Sequence, residues 1–272
     1  MEVVVSRYSD DLSWLPALAG LLNANITVYC KARARGGEDT ARVWPRSTAD
    51  SALPCALRQE SPAPPPVVAC TETLANVGNE GHSYLHHMVV RYDSLAPVTL
   101  FLPDTIWNDP TQQKPHYTHD VVAALLASRG RLAFADMHWP DTPLRFAQSR
   151  LKELVQGFKF PCADRNVGSR QCRWDGTSGA NPLGGALVPA EPNDFLAWMR
   201  VHAHTTLWDM LACGWSFRGV FAASRGAIRS HEVGLYDHLR GELAKAKFPM
   251  AGMYQERLWR RLFLCSARKG AE

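Results

Sequence analysis

The sequence predicts an α/β fold: a mainly parallel sheet flanked by helices. Three observations carry it. Short β-branched runs alternate with segments of helical apolar spacing, as in Val3 to Ser6 followed by Leu12, Leu15, Leu18, Ala19 and Leu22. The runs are apolar without alternation, the mark of strands buried on both faces. The order strand, helix, strand recurs over short distances, as in βαβ units.

The first strand is Val3 to Ser6, and Ser9-Asp10-Asp11 supplies capping residues for the helix behind it. Pro16 falls near the start of that helix, where proline is tolerated. A second strand runs from Ile26 to Cys30. Residues 32–66 show neither period, are rich in Arg, Ala, Ser and Pro, and read as a flexible surface insertion. Asn76-Val77-Gly78-Asn79 is turn chemistry opening a helix over 80–92, with Leu85, Met88, Val89 and Tyr92 as its stripe. Further strands are expected at 98–102, 131–135 and 215–222, and helices at 121–126, 144–158, 195–211, after Ser230, and over 251–263. Residues 161–192 read as a long loop. We expect residues 1–272 to form one domain.

Charge and hydropathy narrow the function. A net charge of +4 over 272 residues is too small and too scattered to argue for nucleic acid, although it permits an anionic ligand. No stretch reaches the ~20 apolar residues of a membrane span. The opening Glu2-Val3-Val4-Val5-Ser6 reads as a strand rather than a signal peptide. A cytoplasmic location is the default expectation, with the secretory pathway as the alternative if an anchor lies upstream. The seven cysteines contain no Cys-x-x-Cys pair, which argues against a zinc finger. Cys55 with Cys70, and Cys162 with Cys172, each flank a loop-like segment and are the pairs that could bridge in an oxidising compartment.

In a parallel sheet, ligands sit beyond the carboxyl ends of the strands. That rule selects Arg7-Tyr8-Ser9-Asp10, Pro103-Asp104 and Asp136-Met137-His138. The turn at Asn76 and Gly78 opens a helix whose N-terminus suits a phosphate. Glu80 falls in its first turn, where an acid also answers the helix dipole. His82 and His86 share a helix face at a spacing that can bind zinc. Asp104, just past a buried strand, can hold a divalent cation, and equally suits a turn after proline. Glu256, a turn before Trp259, can act as a general base or pair with Arg257 or Arg260.

Several segments, in order, resemble an uncharacterised family known as domain of unknown function 3431: Val4 to Leu15, Tyr29-Cys30-Lys31, Asn76 to His87, Tyr92-Asp93-Ser94-Leu95, Phe221 to Ile228, and Glu256 to Phe263. More distantly, Asn76 and Gly78, the helix after them, and Phe101-Leu102-Pro103-Asp104 are similar to the turn, helix and strand of GT-A glycosyltransferases, which use nucleotide-activated sugars. Pro103 stands where the first of that fold's paired acids would fall, and Asn79 where the uncharacterised family has arginine.

The GT-A resemblance implies a glycosyltransferase with a nucleotide sugar as co-substrate, Mn2+ or Mg2+ as cation, and a glycan, lipid or protein acceptor. It gives Asp104 the metal, Glu256 the proton of the acceptor with Asp136 in reserve, and the nucleotide to the end of the first strand. The substrate and nucleotide candidates are then Arg7, Tyr8, Asp10, Asn76, Gly78, Glu80, His82 and Arg225. Sugar or nucleotide binding without turnover is the alternative, with a hydrolase built on Glu80, His82 and His86 behind it.

Overall fold

A computed structural model describes residues 1–8, 12–32, 68–106, 114–127, 133–134, 188, 190–192, 194–213, 216, 219–247 and 249–265. The expected insertion, the helix over 144–158 and nearly all of the 161–192 loop fall outside these residues. So do Asp10, Asp136, Cys55, Cys162 and Cys172.

The chain begins β1 (Glu2–Arg7), α1 (Leu15–Leu22), β2 (Asn25–Lys31), β3 (Glu72–Leu74), α2 (Asn79–Val90), β4 (Val98–Pro103), α3 (Lys114–Ala127) and β5 (Ala133–Phe134). It continues α4 (Phe195–Ala203), α5 (Leu207–Cys213), β6 (Phe221–Ser224), α6 (Arg225–Arg229), α7 (Val233–Ala244) and α8 (Met250–Arg260). One π-helical turn follows at Arg261–Cys265. The expected strand and helix alternation is therefore present, as a mixed sheet flanked by helices.

The sheet order is β3-β2-β1-β4-β6-β5. The first four strands are parallel, with Val4 opposite Thr27 and Phe101. β6 runs antiparallel to both β4 and β5. The chain winds outward from β1 through β2 to β3, then crosses back to lay β4 on the other side of β1. The β1/β4 seam is thus a point where the winding reverses, the place where open α/β sheets take ligands.

Strand alternation sorts the core into two layers. Val3, Val5, Val28, Leu100, Leu102 and Ala222 pack with Leu15, Leu18 and Leu22 of α1 and Val121 and Leu125 of α3. Val4, Tyr29, Phe101, Phe221 and Ala223 point the other way, into the larger layer built by α2, α4, α7 and α8. An aromatic column runs through that second layer. Phe101 stacks on Phe221 at 4.9 Å, and Phe221 on Trp259 at 5.0 Å.

Local chemistry explains several boundaries. The helix expected over 195–211 is two helices, because His204 takes a left-handed conformation (φ 48°) and ends α4. Thr206 and Asp209 then form a reciprocal cap for α5: the Thr206 N–H donates to Asp209 Oδ2 (2.9 Å), and the Asp209 N–H to Thr206 Oγ1 (3.2 Å). The strand expected over 215–222 lies later, at Phe221–Ser224, and Ser224 caps α6 directly by accepting the Ala227 N–H at 3.1 Å. Ser230 does not cap α7 as expected. Its hydroxyl donates back to the Ala227 carbonyl (2.7 Å), and Glu232 is the N-cap.

Of the pairings the sequence allowed, the one for Cys70 is not the one formed. Its partner is Cys30 of β2, with Cα atoms 5.7 Å apart, and not Cys55. The bridge fastens the chain just ahead of β3 to the sheet. No helix among the described residues is long and apolar enough to cross a membrane.

Candidate functional site

β1 and β4 end side by side, and their last residues are joined through side-chain chemistry. The Tyr8 N–H donates to Asp104 Oδ2 at 2.6 Å, and Asp104 is 1% exposed. The carboxylate therefore closes the β1/β4 seam at its carboxyl end. The Tyr8 hydroxyl is buried and has no hydrogen-bond partner among the described residues. Burial, then the charges of Glu80 and Asp104, push its pKa well above the ordinary phenol value, so it stays protonated as a donor.

Tyr84, one turn along α2 from Glu80, is its neighbour. Its hydroxyl donates to the Gly219 carbonyl at 3.0 Å. Burial first, then Glu80, Tyr8, Asp104 and Glu256, raise its pKa well above the ordinary value. Three carboxylates from α2, the end of β4 and α8 thus act on one buried phenol. Glu80 also lies along Gly219, where a Cβ would stand 3.0 Å from Glu80 Oε1; Gly219 has φ +59°. Asp104 and Glu256, far apart in sequence, thus both lie within electrostatic reach of Tyr84, as do Tyr8 and Glu80. Arg7 ends β1 on the side of β2, opposite Cys30.

Lys31, the last residue of β2, extends the cluster. It is 4% exposed; its ammonium donates to the Val77 carbonyl at 2.8 Å and lies 3.4 Å from His82 Nδ1. Burial lowers its pKa to about 7, against the opposing pull of Glu80. His82 is held down to about 3, by burial first and then by Lys31, His86 and Arg240. It is therefore a neutral imidazole, with Nδ1 turned to the ammonium as acceptor.

The turn before α2 has a packing reason of its own. Gly78 takes φ +66°, and a Cβ there would stand 2.7 Å from both the Leu243 carbonyl oxygen and His82 Cβ. Its N–H donates to the Ala246 carbonyl at 2.9 Å, so the turn rests on the end of α7. Asn76 nevertheless keeps a buried Oδ1 with no partner among the described residues.

Two expectations fail on geometry. Arg225 follows a strand that runs against β4: Ser224 stands opposite Val98, and the Arg225 N–H donates to the Pro97 carbonyl at 2.9 Å. It therefore lies at the start of β4, level with Pro97 and roughly 23 Å along the strand from Asp104. The His82 and His86 pair does not converge either. His82 faces Lys31, whereas His86 Nε2 lies 3.1 Å from Glu72 and its Nδ1 accepts from Arg240 at 3.2 Å. Asp10 and Asp136 lie outside the described residues. Lys31 and Tyr84 escaped selection as site residues: Lys31 falls just past the expected second strand and Tyr84 within the helix after the Gly78 turn, and neither position signals burial in sequence.

No family model, curated protein or solved structure matches the chain. The chemistry of the site must stand on its own residues. It offers carboxylate oxygens suited to a hard cation, a buried phenol donor, and a lysine poised to take charge beside an anion.

Proposed function

We propose that the chain binds a nucleotide-activated sugar at the β1/β4 seam and transfers the sugar to an acceptor hydroxyl, as a GT-A-type glycosyltransferase does. The observation that carries this reading is that Glu80, Asp104 and Glu256 all act electrostatically on the buried Tyr84, and Glu80 and Asp104 on Tyr8, which follows β1 at the reversal of the sheet. Carboxylates from α2 and the end of β4 fit Mn2+ or Mg2+, and Asp104 and Glu80 would hold it. When bound, such a cation offsets the charge of a departing diphosphate. Lys31, recharged beside phosphate, and the Tyr8 hydroxyl donate to the same anion. Glu256 takes the acceptor proton as the bond between anomeric carbon and diphosphate breaks and the bond to the acceptor oxygen forms.

Binding without turnover is the second reading. The burial of Asp104 and its bond to the Tyr8 N–H favour it, because that carboxylate already has work in the fold. The disulfide favours an oxidising compartment over the cytoplasm for either reading.

The test is thermal stability against nucleotides and nucleotide sugars, with and without Mn2+ or Mg2+, followed by detection of free nucleoside diphosphate. A ligand at about a hundred times its dissociation constant raises stability by roughly 2.7 kcal/mol. The transferase reading expects a cation-dependent shift that Asp104→Asn abolishes, and turnover that Glu256→Gln lowers at least about a hundredfold. A shift without turnover selects the binding reading. No shift at millimolar ligand refutes both.

A further inference from the structure

The second layer of helices holds a separate cluster, none of whose three members belongs to the candidate site. His202 lies in the last turn of α4, while His238 and Glu242 stand one turn apart on the facing side of α7. One ligand atom from each, His202 Nδ1, His238 Nε2 and a Glu242 oxygen, all fall within 4.8 Å of one another. His202 Nδ1 is 2.9 Å from His238 Nε2 and 3.9 Å from Glu242 Oε1. We propose that these three side chains form a binding site for a zinc-class transition-metal ion, with its fourth position open to solvent.

Partners outside the cluster orient two of the three donors, His202 and Glu242, inward. His202 Nε2 lies 2.7 Å from the Glu191 carbonyl oxygen, which can only accept, so the ring proton sits on Nε2. The lone pair is then on Nδ1, facing the cluster. A ligating histidine held by a backbone carbonyl through its other nitrogen is the arrangement that fixes tautomer and ring angle in metal sites. Glu242 is divided in the same way: Oε2 takes Lys245 Nζ at 2.6 Å, and Oε1 turns to His202. The rings of His202 and His238 are nearly parallel, 18° apart. His202 is buried and braced against Trp198, while His238 is exposed, which leaves a path for entry.

The spacing needs a modest adjustment. Bonds of about 2.0–2.1 Å at tetrahedral angles set ligand atoms roughly 3.3–3.5 Å apart, so the His202–His238 pair opens by about 0.4–0.6 Å, the His202–Glu242 pair closes by about as much, and Glu242 draws toward His238 from a separation within 4.8 Å. His238 now donates its Nε2 proton to His202. On binding, it carries that proton on Nδ1 instead, by exchange with solvent, and the metal takes the Nε2 lone pair. Two imidazoles with one carboxylate favour zinc-class ions over Mg2+ or Ca2+, which prefer all-oxygen sets.

The test uses the full chain, stripped with a chelator under non-reducing conditions and titrated with Zn2+ by calorimetry. Co2+ serves in parallel as a spectroscopic probe. The expected result is one ion per chain, four-coordinate Co2+ absorption, and affinity weakened at least about tenfold in both His238→Ala and Glu242→Gln. His238 is exposed, so its replacement leaves the core intact; Glu242→Gln checks the result independently. Zinc binding that neither variant weakens, or no binding at tens of micromolar Zn2+, overturns the proposal. Neither variant touches the β1/β4 seam, so failure here is separate from failure of the transferase reading.

Discussion

Replacing Lys31 by methionine should make the protein more stable, and the gain should depend on pH. Lys31 is 4% exposed, with its pKa brought from 10.5 to about 7, burial being the first cause. A depression of that size corresponds to about 5 kcal/mol against the charged form in the folded state. Between about pH 7 and 10.5 the unfolded chain binds the lysine proton and the folded chain does not, so this contribution makes stability rise with pH. Below about pH 7 both states are protonated and the full penalty remains. Methionine removes it while keeping most of the stem's apolar contacts. The Val77 carbonyl then loses its donor, which costs about 1–2 kcal/mol. The net expectation at pH 7 is a gain of about 3 kcal/mol, shrinking toward pH 10. Urea unfolding of both proteins from pH 7 to 10, with the disulfide intact, measures the difference and cancels titrations common to both. A variant less stable than the parent at pH 7, or a difference that does not change with pH, would refute the reasoning.

Two further outcomes follow from the packing. Opening the Cys30–Cys70 bridge, which spans 40 residues of sequence, should lower stability by about 4 kcal/mol on the loop-entropy relation, and non-reducing peptide mapping should recover Cys30 with Cys70. Gly78→Ala should destabilise by at least about 2 kcal/mol in denaturant unfolding, because it combines φ +66° with a Cβ 2.7 Å from the Leu243 carbonyl oxygen.

What the sequence disclosed, and what it hid, divides along physical lines. β1 and β4 were legible because both faces are buried, so Val3 to Val5 and Leu100 to Leu102 leave no polar alternation to confuse them. The carboxyl-end rule then found Tyr8 and Asp104 without any structure. β3 was not legible: it has three residues, two of them exposed, and is held by pairing to β2 and by the bridge at Cys70. The break between α4 and α5 was hidden because apolar spacing continues through it, while the stop signal is one left-handed histidine. Lys31 was missed because its burial depends on α2 crossing the end of β2, which no local pattern encodes. The spacing of His238 and Glu242 is visible in the chain, but His202 joins them only through the packing of α4 on α7.

The direction of β6 matters most for reading the site. A sequence pattern gives a strand but not its sense, and an all-parallel sheet would have brought Arg225 to the edge that carries Asp104. Antiparallel pairing sends it to the opposite edge and leaves the seam with Lys31 as the described basic group held against Glu80. That lysine is half-charged near neutrality, so an anion bound beside it must draw in a proton. On the proposed reading the seam is therefore a site in which anion binding and protonation are coupled, a property that a surface arginine with fixed charge would not give. α7 links this region to the second cluster, since Leu243 supports the Gly78 turn and the residue before it, Glu242, belongs to the histidine group. An ion that clamps α4 to α7 would stiffen the wall on which the turn and Lys31 rest. On the two proposals together, anion titrations with and without Zn2+ test whether that wall carries any coupling, since a change in anion affinity must be matched by the same factor in Zn2+ affinity and an unchanged affinity shows that the two sites act independently.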